Sequence, residues 1–250
     1  KTTSSSDSMR IYNYYCLMKN SFSIQIFVGI LALYFISSCA PTRFYKPLEA
    51  GQQAVTASFG GPLIRVPNVA PMPIPFTSMG YGRGLTDKTT VFGSWHTTSS
   101  IFGVAHVDFG ATQGLWNTDN MGLSAGLSAH FLIDVFEWNP SLYPQLSANY
   151  YWTYKNTEKF KSEFYLGTEN WFDLRSRLAH DVPNTNRLLW NMHIGHSFHK
   201  NLWSYQFEFK LLAPYLNNDV VVDYISPFGN QGAVVSMIMS ECVFGRIIYQ

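Results

Sequence analysis

Charge is scarce in this chain of 250 residues, where Asp, Glu, Lys and Arg together make up 13%. Soluble domains ordinarily carry about 25%, so a surface turned wholly to water is not expected. The opposite extreme fails as well: mean hydropathy is −0.04, and no apolar run reaches the roughly 20 residues that a membrane helix needs. Cysteine is nearly absent, with three in all, and none stands in a Cys-x-x-Cys pair. Nor is there a Gly-x-x-x-x-Gly-Lys-Ser/Thr or a His-Glu-x-x-His, which removes the strongest nucleotide and zinc signatures. The formal net charge of +1 leaves no basic footprint for nucleic acid. Aromatics, by contrast, are plentiful at 16%.

The first motif lies near the start. Met18-Lys19-Asn20 precedes an uncharged run from Ile24 to Ile36, too short to span a bilayer, which ends in Ser37-Ser38-Cys39. A charged n-region, a short apolar core and small residues before a cut site are the parts of a signal peptide. The Ser-Ser-Cys ending matches a lipobox, whose cysteine is acylated and becomes the mature N-terminus. We therefore expect translation to start at Met18, residues 1–38 to be upstream sequence and a cleaved lipoprotein signal peptide, and Cys39 to carry lipid. Residues 39–51 read as a lipid-anchored linker and 52–250 as one domain, since no repeat or composition break divides it. Removing Lys1, Arg10, Lys19 and Asp7 with the leader leaves 14 basic and 15 acidic side chains. Cys16 lies before the cut and Cys39 is lipidated, so Cys242 has no disulfide partner.

The rest of the chain alternates. In Leu202 to Leu211, Trp203, Tyr205, Phe207, Phe209 and Leu211 share one parity, and Ser204, Gln206, Glu208 and Lys210 share the other. Successive side chains of a strand point to opposite faces, so one face suits lipid and the other is wet. Met121 to Ile133, Leu146 to Tyr154 and Leu188 to His199 repeat the pattern at about the 9 to 11 residues of a tilted membrane strand. Ten strands are expected, near 52–60, 76–85, 88–97, 101–112, 120–134, 142–155, 160–174, 187–199, 202–215 and 233–249. The fold class is all-β, an antiparallel transmembrane β-barrel of about ten strands. Short turns at Thr86-Asp87, Asn156 to Lys159 and Lys200-Asn201 and long loops at Gly61 to Pro75, Leu174 to Asn186 and Pro214 to Gly232 fit the periplasmic and outer ends of such barrels. Two connections dissent: Thr97 to Ser100 is short for an outer loop and Gln113 to Asp119 long for an inner one. Glu241 shares parity with Met237, Met239 and Val243, which would aim it at lipid.

The glycine-rich hairpin from Gly80 to Gly93, with Tyr165-Leu166-Gly167 and Asn170-Trp171-Phe172, resembles the small outer-membrane β-barrel lipoproteins and barrel proteins of the Bacteroidota. The resemblance implies a Gram-negative outer membrane and no particular chemistry. The expected partners are outer-membrane lipid, the barrel-assembly machinery and a surface ligand or protein at the outer loops, with no nucleic acid.

Inward parity gathers His96, His106, His130, His193 and His199, together with Asp108, Glu163, Glu169, Glu208, Lys210 and Tyr151. One reading of His106, Asp108, His130 and His193 is a metal or catalytic cluster. The reading preferred on sequence is a lumen plugged by mutually hydrogen-bonded polar groups, with no catalytic residue, metal or cofactor assigned. Gly80, Gly82 and Gly84 read as a small inward face rather than a phosphate loop, because no helix follows. The expected role is structural, ligand-binding or narrow transport. Two alternatives stand beside it: a lipid-acting hydrolase or acyltransferase, for which Ser197 between His196 and His199 is the only local crowding, and a soluble periplasmic β-sandwich lipoprotein.

Overall fold

A computed structural model describes residues 44–65, 72–73, 76–136, 138–157, 160–176, 183–217 and 224–245. The leader, Cys39 and Arg246 lie outside the described residues. The elements run β1 (Gln53–Ile64), β2 (Met72–Pro73), β3 (Phe76–Thr86), β4 (Thr89–His96), a short helix α1 (Thr97–Ile101), β5 (Val104–Asn117), β6 (Met121–Asp134), β7 (Asn139–Thr157), β8 (Phe160–Phe172), β9 (Leu188–Lys200), β10 (Trp203–Asn217) and β11 (Gln231–Phe244). Apart from the two-residue β2, these are the ten strands that the alternation predicts.

From β3 to β11 each strand pairs antiparallel with the next, and β11 pairs with β1 over Gln53 to Pro62. The seam closes where β1 lies against β3. Ser58 Oγ and Ser78 Oγ are 2.5 Å apart, Tyr81 OH donates to Gln53 Oε1 at 2.6 Å, and Gly51 N and Gly84 N donate to Gly84 O and Gln52 O at 2.9 Å each. A closed barrel leaves no strand edge.

Polarity is inverted relative to a soluble protein. Phe109, Leu127, Ile194, Trp203, Phe207 and Phe209 are exposed on the outside, while Glu163, Gln206, Glu208, Lys210 and Asp108 are buried within. Water would penalise that outer surface at about 25 cal/mol per Å²; hydrocarbon does not. The outer face is therefore built for lipid, and a soluble β-sandwich is ruled out.

The shortest connections, at 87–88, 118–120, 158–159 and 201–202, lie at one end, and the longest, at 173–187 and 218–230, lie at the other together with the four-residue link at 135–138. Asn201, at φ +56°, is of the residue type that accepts the left-handed conformation of a two-residue hairpin turn. The dissent at Gln113 to Asp119 disappears because β5 runs on to Asn117. At the other end, α1 with the two residues after it spans the β4–β5 connection.

Glu241 departs from the sequence expectation: it faces the lumen and is only 6% exposed. No bulge is needed, because the entire strand has the opposite orientation. Val235, Met237 and Met239 are buried inside with it, and Ile238 is exposed outside. In register, Glu241, Met239, Met237 and Val235 stand opposite Ser204, Gln206, Glu208 and Lys210. Directly paired residues share a face, so the inward set of β10 dictates that of β11.

Closure through all ten strands predicts slow opening in detergent. Unboiled and boiled samples should migrate differently on a denaturing gel, and identical migration would contradict the closed barrel.

Candidate functional site

The lumen is arranged in tiers, and the one at the tight-turn end is filled by the chain itself. Residues 44–50, part of the stretch expected to be a linker, enter the barrel ahead of β1. Phe44, Tyr45 and Leu48 are buried there. Tyr45 stacks on Tyr165 with ring centroids 4.2 Å apart and donates its hydroxyl proton to Glu163 Oε2 at 2.6 Å. Lys46 also pairs with Glu163 Oε2. Burial pulls the Lys46 ammonium below its ordinary pKa, and the Glu163 carboxylate pulls the opposite way. The backbone is held too: Leu48 N donates to Thr90 Oγ1 at 2.7 Å, and Ser124 Oγ donates to Tyr45 O at 2.5 Å.

The inward glycines of β3 make room for this segment. A Cβ on Gly82 would meet the Phe44 ring at 2.3 Å, and one on Gly84 would meet Glu49 O at 2.1 Å. Their small face is therefore the seat of the plug. Nothing in the sequence of 44–50 marks it as an insert, although the alternate glycines opposite were a usable signal.

Glu163 is the hub of this tier. Beyond Tyr45 and Lys46 it takes Lys161 at 2.8 Å, Thr153 Oγ1 at 2.9 Å and His199 Nε2 at 2.9 Å. Ser197 Oγ lies 3.0 Å from that same His199 nitrogen, which puts serine, histidine and glutamate in contact. A hydrolytic relay needs the base to take the nucleophile on one ring nitrogen and the acid on the other. Here both meet Nε2, and Ser197 is 0% exposed. The arrangement is a hydrogen-bond hub and not a relay. His196 points outward, where Tyr154 OH lies 2.8 Å from its Nε2.

A middle tier follows. Tyr165 OH donates to Glu208 Oε2 at 3.0 Å, Lys210 Nζ lies 3.4 Å from Glu208 Oε1 and 2.6 Å from Glu169 Oε2, and His193 Nε2 contacts Asn149 Oδ1 at 2.7 Å. His193 is therefore not with the other histidines of the cluster expected from sequence.

Those gather in the third tier, beside α1. His96 Nε2 is 2.7 Å from Asp108 Oδ2, His106 Nε2 is 3.1 Å from His130 Nδ1, and His130 Nε2 is 2.6 Å from Gln145 Oε1. The His96 and His106 rings stack at 3.6 Å, and His130 stacks on Trp171 at 4.1 Å. The structure thus joins His106, Asp108 and His130 as sequence parity allowed, and puts His96 where His193 was expected. These groups line a cavity of about 360 Å³, partly open to solvent, with Glu169, Lys210, Asn191, Phe92 and Met237 also in its wall. Just after β8, Asp173 accepts from Arg175 Nε and Nη2 at 3.0 and 2.8 Å, and that hydrogen bonding holds the Asp173 carboxyl below its usual range.

No protein-family model matches the chain, and no curated protein matches it. Among solved structures it is similar to the translocator domain of the autotransporter NalP from Neisseria meningitidis, with TM-score 0.43 and 9% identity over 90% of this chain and 98% of that one. An outer membrane channel from Pseudomonas putida F1 gives TM-score 0.40 and 8% identity over 83% and 100%. LpxR from Salmonella typhimurium gives 0.38 and 8% over 77% and 99%. At such identities no chemistry transfers.

Lys210 is the cation between two buried carboxylates, so Lys210→Met should cost about 3 kcal/mol by leaving Glu169 and Glu208 facing each other. Glu169→Gln should cost less. The double variant should be milder than the sum, because the two share one interaction. Urea midpoints of the gel-shifted form measure all three, and additive losses would show that the groups do not form one network.

Proposed function

We propose that this protein is an outer-membrane, lipid-anchored barrel that binds a small ligand in the outer half of its lumen and does not conduct across the membrane. The observation that carries the reading is the division of the lumen: residues 44–50 fill the tight-turn half, and a cavity of about 360 Å³ remains in the other. That volume lies near the lower end of the roughly 300 to 1,000 Å³ of small-molecule sites. Tight turns mark the periplasmic end of barrels of this class, which assigns the cavity to the outer side. Barrels wide enough for an aqueous channel generally have 16 to 18 strands, and here the narrow bore is blocked as well.

Lipid anchoring through Cys39 fits this orientation. Residues 44–50 lie in the tight-turn half, which is the periplasmic end of barrels of this class. Because Ser197 and Glu163 meet the same His199 nitrogen, they give the hydrolase or acyltransferase alternative no working geometry. Insertion would proceed through the barrel-assembly machinery, as for other closed barrels of the outer membrane.

Two measurements test the proposal. In planar bilayers the full chain should show no unitary conductance, and deletion of residues 44–50 should produce it. Steady channels from the intact protein would refute the plug. Intact-mass analysis of protein expressed in a Gram-negative host should find acylated Cys39 as the first residue, with an unlipidated precursor from Cys39→Ala. A mature chain that retains Met18 to Ser38 without lipid would remove the anchor.

A further inference from the structure

We propose that His96, His106 and His130 form a binding site for a divalent first-row transition metal, of the zinc type, with Asp108 as a fourth or orienting group. The inference deepens the ligand-binding reading by naming the class of ligand. Each histidine offers a ring nitrogen, and the three nitrogens all lie within 4.8 Å of one another.

Adjacent strands fix the arrangement. His96 ends β4, His106 and Asp108 lie on β5, and His130 lies on β6; Asp108 is the direct register partner of both Ser94 and His130. Because the ladders are continuous through these pairs, the imidazoles are held by backbone hydrogen bonds rather than by a loop. Preorganisation of this sort is what a metal site needs.

The hydrogen bond to Gln145 selects the ligating form of His130. Gln145 Oε1 is a carbonyl and can only accept, so His130 Nε2 carries the proton and Nδ1 presents its lone pair inward. Ligating histidines usually donate their second ring N–H to an oxygen in this manner. The lone pair faces His106 Nε2 at 3.1 Å, close to the roughly 3.3 Å that separates two ligands of a tetrahedral ion bound at about 2.0 to 2.1 Å. A metal there would displace the proton that His106 Nε2 shares with His130 and the one that His96 Nε2 donates to Asp108. Asp108 Oδ2, at 2.7 Å from His96 Nε2 and 3.9 Å from His130 Nδ1, brings a carboxylate to the same point and offsets the charge of an incoming cation. Three imidazoles with a carboxylate suit zinc, copper, nickel or iron, whereas calcium and magnesium prefer oxygen ligands alone. All four side chains line the partly open cavity, so an ion has a route in.

The test is direct titration of the purified full chain, stripped with chelator in detergent, with Zn²⁺ against a chromophoric competitor, and with Co²⁺ by visible absorption. One equivalent should bind at micromolar concentration or tighter, and Co²⁺ should give ligand-field bands of a nitrogen and oxygen site. His96→Ala, His106→Ala and His130→Ala should each weaken binding more than about 100-fold, beyond the range for outer-shell partners, and Asp108→Asn by about 10- to 100-fold. His196→Ala, on the lipid face, and His193→Ala, in the middle tier, should leave affinity within about twofold. Heat-shifted migration on gels identifies variants that still fold, and the Co²⁺ bands of the unmodified protein decide the matter if the alanine variants do not. Absence of stoichiometric binding of any of these ions, or binding that survives both His106→Ala and His130→Ala, would overturn the site. A barrel that is silent in bilayers and takes no metal refutes this inference alone; one that conducts yet binds metal refutes only the plug.

Discussion

Glu163 is the constraint on which the tight-turn half of the barrel depends. A carboxylate held in a lumen away from bulk water is costly unless its oxygens are met by donors, and among the described residues the wall of β-strands supplies Lys161, Thr153 and His199. Tyr45 and Lys46 complete the set from the chain that precedes β1. The plug thus adds a phenol and an ammonium to a buried carboxylate that the strands already meet on both oxygens. From there the polar spine continues through the Tyr45–Tyr165 stack to Glu208, Lys210 and Glu169, linking the plugged tier to the floor of the cavity.

The alternation made most of the wall legible. Strands β6, β9 and β10 have inward and outward sets that differ sharply in polarity, and there parity alone assigns every face. β11 misled because its lumen face holds Val235, Met237 and Met239, so hydrophobicity gives the wrong side and only pairing with β10 corrects it. Parity also says which face a histidine takes but not its height along the barrel. Height follows from register and strand tilt, which explains why His193 falls into the middle tier while His96, seemingly remote at the end of β4, joins His106 and His130.

The plug was illegible for a different reason. Residues 44–50 have no periodicity, and their burial depends on a cavity formed by strands that come later in the chain. What the sequence did contain was the complement: Gly82 and Gly84 leave space that only an inserted segment occupies. A small inward face opposite no large inward neighbour is therefore a sign of something that fills it.

The two halves of the lumen follow different physical rules, and that difference gives the barrel its character. In the tight-turn half, buried charge is compensated by the chain's own segment, so the bore is closed by the same interactions that stabilise it. In the other half, His96, His106, Asp108 and His130 are fixed by ladders and hydrogen bonds around a space the described residues leave unfilled. Filling it with apolar side chains would have been the simpler route to stability, since buried polar groups seldom outdo well-packed hydrophobic ones. Retaining imidazoles and carboxylates there, next to an apolar wall of Met237 and Val235, costs desolvation that a protein serving only as a closed cylinder has no reason to bear. A ligand able to accept those lone pairs would supply there the compensation that Tyr45 and Lys46 supply in the tight-turn half.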